Sequence, residues 1–144
     1  MTARITAIRE ALVSVLAGDA GLQAAGLKSV DAYPPASIRN GGAWVGFFDD
    51  AVEFSQRELH LYTVPVTFVV NLNAQHQRGL QATEPMIDAV LAALRSHQGL
   101  GIETVMRTEV TRVQQGIWDV GGTQFIGFQL TLLIKESFGA TYGG

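Results

Sequence analysis

Asp49, Asp50 and Glu53 form the one carboxylate cluster in the chain. Carboxylates gathered in this way can hold a hard cation or work as an acid/base pair. No regular metal-loop spacing surrounds them, so a solvated loop is the simpler account. The three histidines, His60, His76 and His97, fall on a strand, a loop and a helix end without a ligand spacing such as H-E-x-x-H. His97 has a structural reason to be there, since a cation in the last turn of a helix meets the negative end of its dipole. No serine sits in a G-x-S-x-G elbow, and no phosphate-binding G-x-x-x-x-G-K-[ST] occurs. "GLGIET" opens like a dinucleotide fingerprint, but Thr104 stands where the third glycine belongs and a strand follows instead of a helix. These residues assign no catalytic group, no metal ligand and no cofactor, and an enzyme is not expected.

Composition narrows the classes further. The absence of cysteine removes disulfide frameworks, thiolate zinc sites, iron–sulfur clusters and thiol nucleophiles. The net charge is −3 and the ten basic residues are scattered singly, which is not the basic footprint of a dedicated nucleic-acid binder. The longest nearly apolar runs, "VPVTFVV" and "LTLLI", are far shorter than the roughly 18 residues of a membrane span, so no membrane association is expected. With 144 residues, 47% of them hydrophobic, the chain has material for one core without disulfides or metals.

Hydrophobic periodicity supplies the elements. Ile5, Ile8, Leu12, Val15 and Leu16 recur at helical spacing with Arg9 and Glu10 on the other side, predicting an amphipathic helix from Thr2 or Ala3 to about Ala17, with Thr2 as a candidate N-cap, in preference to a secretory leader. "KSVDAYPP" reads as a short extended piece and "AWVGFF" as a short strand. "DDAVEFSQRE" carries five charged residues without a clean period and reads as a loop or hairpin crossing. In it, Asp49, Asp50, Glu53, Phe54 and Arg57 are candidates for a partner-facing or lumen-facing surface. "LYTVPVTFVVNLN" alternates as a strand with one buried face, and Pro65 marks it as an edge over part of its length, a candidate contact for another subunit. "AQHQRGLQAT" reads as a loop. Thr83 then caps a helix with Pro85 in its first turn and a core stripe of Ile87, Val90, Leu91 and Leu94. Ile102 to Gln115 reads as a strand whose helix-like spacing a bulge would reconcile, "DVGG" as a turn, and Ile126, Phe128, Leu130, Leu132 and Ile134 as a second strand. The expected fold is α+β: a mostly antiparallel sheet packed against two helices with a long C-terminal β-hairpin. Residues 1–136 form a single domain and 137–144 a flexible tail.

The hairpin carries one further expectation. A compact domain of this size has a radius of gyration of about 14.5 Å and a diameter of roughly 37 Å, whereas a 14-residue strand spans roughly 47 Å. An unbroken hairpin would overhang the body and project Ile117, Trp118 and Asp119 at its tip towards a neighbouring subunit. A bulged hairpin would instead curl, with Trp118 capping the end of the sheet.

The order of elements, carried by "ITAIREALVSVL", "DAYPP", "LHLYTVPVTFVVNLN", "EPMIDAVLAALRSHQGLG" and "GGTQFIGFQLTLLIKES", resembles the tail terminator, or tail completion, proteins of long-tailed bacteriophages and related particles. The resemblance covers most of the chain and rests on periodicity, with no invariant signature. It implies a structural virion protein, assembled in the host cytoplasm, that forms a hexameric ring on the head-proximal end of the tail tube, ends tube polymerisation and offers a surface to the neck and head-completion proteins. It further implies a channel through which DNA passes without sequence-specific binding. Other readings are a different head-to-tail connector, such as a stopper or joining protein, a small metal-dependent hydrolase using Asp49, Asp50, Glu53 and His60, and a ligand-binding domain.

Overall fold

The structure is a computed structural model, and residues 3–72 and 76–139 are described. Helix α1 (Arg4–Ala17) buries Ile8, Leu12 and Leu16 at successive four-residue steps. Its N-cap position is Ala3, and Thr2 lies outside the described residues. Asp19 accepts a hydrogen bond from Leu22 N at 2.9 Å and caps a short α2 (Ala20–Ala24), a helix the sequence pattern did not suggest. Strands β1 (Ser29–Asp31) and β2 (Gly42–Val45) follow. The acidic stretch then forms β3 (Asp49–Phe54), joined by a tight turn at residues 55–57 to β4 (Glu58–Leu72), so the charged segment is a hairpin.

Helix α3 (His76–Ser96) starts seven residues before Thr83, which corrects the loop expected over 76–83 and the cap expected at Thr83, while residues 74 and 75 of that expected loop lie outside the described residues. Pro85 lies inside the helix. Thr83 is buried, donates to Leu80 O at 2.6 Å and accepts from Gln115 Nε2 at 2.8 Å. Its side chain serves the helix interior and a strand, and that use is indistinguishable in sequence from an N-cap. The buried stripe is Met86, Val90, Ala93 and Leu94, with Ile87 only partly covered. Strands β5 (Val105–Val120) and β6 (Thr123–Phe138) complete the chain; Ser137 and Phe138 belong to β6, and 140–144 lie outside the described residues.

The six strands form one sheet in the order β1-β2-β4-β6-β5, with β3 also paired to β4; β1 and β2 are parallel and every other pair is antiparallel. The helices cover one face, where Tyr62, Val64, Val66 and Phe68 of β4 meet Phe128, Leu130, Leu132 and Ile134 of β6. The fold is therefore α+β with a mostly antiparallel sheet and a C-terminal hairpin.

Two details revise the expected edge and overhang. Strand β4 has neighbours on both sides, because β2 and β3 lie end to end along one flank and β6 along the other. Pro65 stands where β2 gives way to β3: pairing stops at Val45–Val66 and resumes at Asp49–Thr63. The missing N–H faces a gap in the partner, so a proline is accommodated within a central strand. Gly46 donates to Pro65 O at 2.8 Å, and a Cβ on Gly46 would lie 2.7 Å from the proline ring.

The terminal hairpin does not overhang. Leu72 pairs with Phe125, so β4 accompanies β6 almost to its turn. Register shifts between Val105 and Arg107 and between Val110 and Arg112 bend β5 and reconcile the helix-like spacing with a strand, which starts at Val105 and not at Ile102. The turn itself is Gly121–Gly122, with φ of 60° and 85°, the left-handed pair that a two-residue hairpin loop demands.

Candidate functional site

The acidic cluster separates in three dimensions. Along β3, alternate side chains point to opposite faces. Asp50, opposite Tyr62, turns to the helix-bearing side, whereas Asp49 and Glu53, opposite Thr63 and Leu59, turn to the uncovered side and are exposed. Phe54 is 66% exposed, and Arg57 in the turn donates from Nη1 to Ser137 Oγ at 3.4 Å.

Asp50 joins a network that the charge pattern alone did not reveal. Glu58, His60 and Tyr62 are alternate residues of β4 and share the core-facing side; Glu136 of β6 and Thr104 meet them from across the sheet. His60 is 2% exposed, with Nδ1 2.7 Å from Asp50 Oδ2 and Nε2 hydrogen-bonded to Glu58. Its ring stacks on Tyr62 and meets Phe138 edge-on. Tyr62 and Thr104 each donate to Glu136 at 2.7 Å, and Arg4 reaches Glu58 at 3.5 Å while lying over Phe138. The signal in the sequence was parity: Glu58 and His60 stand four and two positions before Tyr62 on a strand whose alternation continues through them.

Burial is the strongest single influence on His60 and pulls its pKa down, but hydrogen bonds to Glu58 and then Asp50 outweigh it, and the net direction is up. Tyr62 is driven above its usual range, first by burial and then by its bond to Glu136. A doubly protonated imidazole donates to both carboxylates and has no lone pair left. In that protonation state the imidazole joins β3 to β4 by an ionic bridge through Asp50. Among the described residues no group of three or more acidic or histidine side chains is disposed to hold a metal ion.

This bridge predicts a pH dependence. A histidine whose folded pKa is raised contributes stability that is fully present below its unfolded value, about 6.5, and that fades as pH rises through the folded value. The thermal midpoint of the wild-type protein should fall as pH rises above about 6.5, and His60→Gln should flatten that slope. Parallel slopes in the two proteins would contradict it.

The hairpin residues also find their places. Trp118 lies within β5, paired with Phe125, and not in the turn. It packs on the uncovered face with Ile38 and Trp44 against Val69, Val120 and Phe125, and its ring sits over Gly116, where a Cβ would approach to 3.1 Å. The indole caps the end of its own sheet, which corrects the projecting tip. Asp119 accepts from Gly122 N at 3.0 Å and secures the turn, while Ile117 is 50% exposed.

What remains for contact with other molecules are the borders of the sheet. Strand β5 pairs only with β6, and β3 only with β4, so each leaves one side unpaired among the described residues. Both carry large exposed apolar side chains: Val52 and Phe54 on β3, with Phe47 just before it, and Met106, Val113 and Ile117 on β5. Neither a family model nor a curated protein sequence matches the chain.

Proposed function

We propose that this chain is a tail terminator, a structural subunit that assembles into a hexameric ring on the head-proximal end of a phage-type tail tube, stops its growth and receives the neck. The observation that carries the reading is that β3 and β5, on opposite flanks of one sheet, each leave one side unpaired among the described residues and carry exposed apolar side chains. Exposed strand edges of this kind are hazards unless a partner covers them, and two unlike edges on one subunit support head-to-tail contacts, which close into rings. The element order that resembles the tail terminators supports the same reading. On it, the His60 bridge is structural: it secures β3, which is held to the sheet by β4 alone.

The test is the mass of the purified protein in solution by light scattering, alone and with preformed tail tubes of the same particle. A hexamer, or a monomer that becomes a ring at the tube end and halts growth, is the expected result. Rings that bind on the head side while tubes continue to grow would move the chain to the stopper or joining class. A monomer indifferent to tubes at every concentration would end the reading.

A further inference from the structure

We infer that the ring is closed by antiparallel pairing of β3 of one copy with β5 of the next. The inference rests on the ring reading above and names its contact.

Strand direction permits it. Across the sheet β3, β4, β6 and β5 follow one another, each antiparallel to its neighbour. Because their number is even, β3 and β5 run in opposite directions. A second copy turned about an axis along the strands therefore brings its β3 antiparallel to the first copy's β5, and the alternation continues across the junction. Pairing of like edges, β5 with β5, would need a twofold axis and stop at a dimer.

The side chains match on both faces. On the uncovered face β3 presents Asp49 and Glu53, opposite Thr63 and Leu59, while β5 presents Arg107 and Arg112, opposite Lys135 and Thr131. The register shift between Val110 and Arg112 decides the fit. Without it the two arginines would sit on opposite faces; with it they share one face and are separated along the sheet by the same distance as Asp49 and Glu53. Antiparallel pairing can then set Asp49 against Arg112 and Glu53 against Arg107. In that register Ala51 falls beside Glu109, so no like charges stand directly opposite each other, and Glu109 is already 2.6 Å from Arg107. On the helix-bearing face the same pairing covers Val52 and Phe54 of β3, which are 44% and 66% exposed. Opposite charges on one face and apolar side chains on the other specify both partner and register.

The test compares Asp49→Lys, Arg112→Glu and the double variant by light scattering over a dilution series, and by electron microscopy on tail tubes of the same particle. Both positions are exposed, so the thermal midpoint of each variant should stay at the wild-type value. Each single reversal is expected to raise the concentration needed for ring formation about tenfold, and the double variant to return it close to wild type. Wild-type rings that neither single reversal weakens, or a double variant as weak as the singles, would overturn the strand pairing and leave the ring reading standing. A wild-type protein that forms no ring alone or on tubes would overturn both.

Discussion

Phe128→Ala should cost about 3 to 5 kcal/mol of folding stability, the largest effect expected of any single truncation in this core. The Phe128 and Phe68 rings stack at 4.7 Å between centroids and 7° between planes, both fully buried, on directly paired residues of the two central strands. Truncation removes the transfer free energy of a large apolar side chain and leaves a cavity in the core beside the Phe68 ring. Urea denaturation should show a lower midpoint with an unchanged slope, and the thermal midpoint should fall by roughly 6 to 20 °C for a chain of this length. Phe68→Ala should behave alike, and the double variant should lose less than the summed effects, because each ring forms one wall of the other's site. Full additivity would show that the stack is not a coupled unit.

Arg9→Ala should destabilise by about 2 to 4 kcal/mol, unusual for an arginine on a helix. Periodicity places Arg9 on the polar side of α1, yet it is 6% exposed. Its Nη1 donates to Ala32 O at 2.6 Å and to Val45 O at 2.9 Å, and the guanidinium lies over Tyr33 and Phe48 at 4.4 and 5.0 Å. The side chain thereby ties together the ends of the parallel strands β1 and β2, which share only three register pairs. Alanine would strand a buried carbonyl and separate two rings from the cation between them. Arg9→Lys should recover less than half of the loss, since a point-charge ammonium cannot bridge both carbonyls while stacking flat on two rings. Complete rescue by lysine would assign the role to charge alone. Denaturation of the three proteins under one buffer decides it.

Local patterns made the framework legible. Period-2 alternation identified β4 and β6, the mixed period in residues 102–115 was compatible with the bulges found in β5, which runs over Val105–Val120, and Gly121–Gly122 announced the hairpin turn. These signals arise from the residue's own neighbourhood along the chain, where backbone geometry is independent of the rest of the fold. Patterns that can arise in two ways were misplaced. Thr83 and Pro85 resemble a helix start and lie inside α3, seven and nine residues beyond its first residue. Pro65 resembles an edge and lies in a central strand, because the interruption is in its partner.

The candidate site divides along the same line. By its sequence alone this chain is bound to be a cysteine-free α+β domain with no catalytic signature, built on two long alternating strands and an amphipathic helix, since composition and periodicity are properties of the chain itself. Pairing across the sheet alone decided that Asp50 leaves its neighbours to join His60 and Glu58, that Trp118 closes its own sheet, and that Asp49 and Glu53 stand at one border while Arg107 and Arg112 stand at the other. Those facts depend on register between strands far apart in sequence, and a shift of one residue would send every one of these side chains to the opposite face.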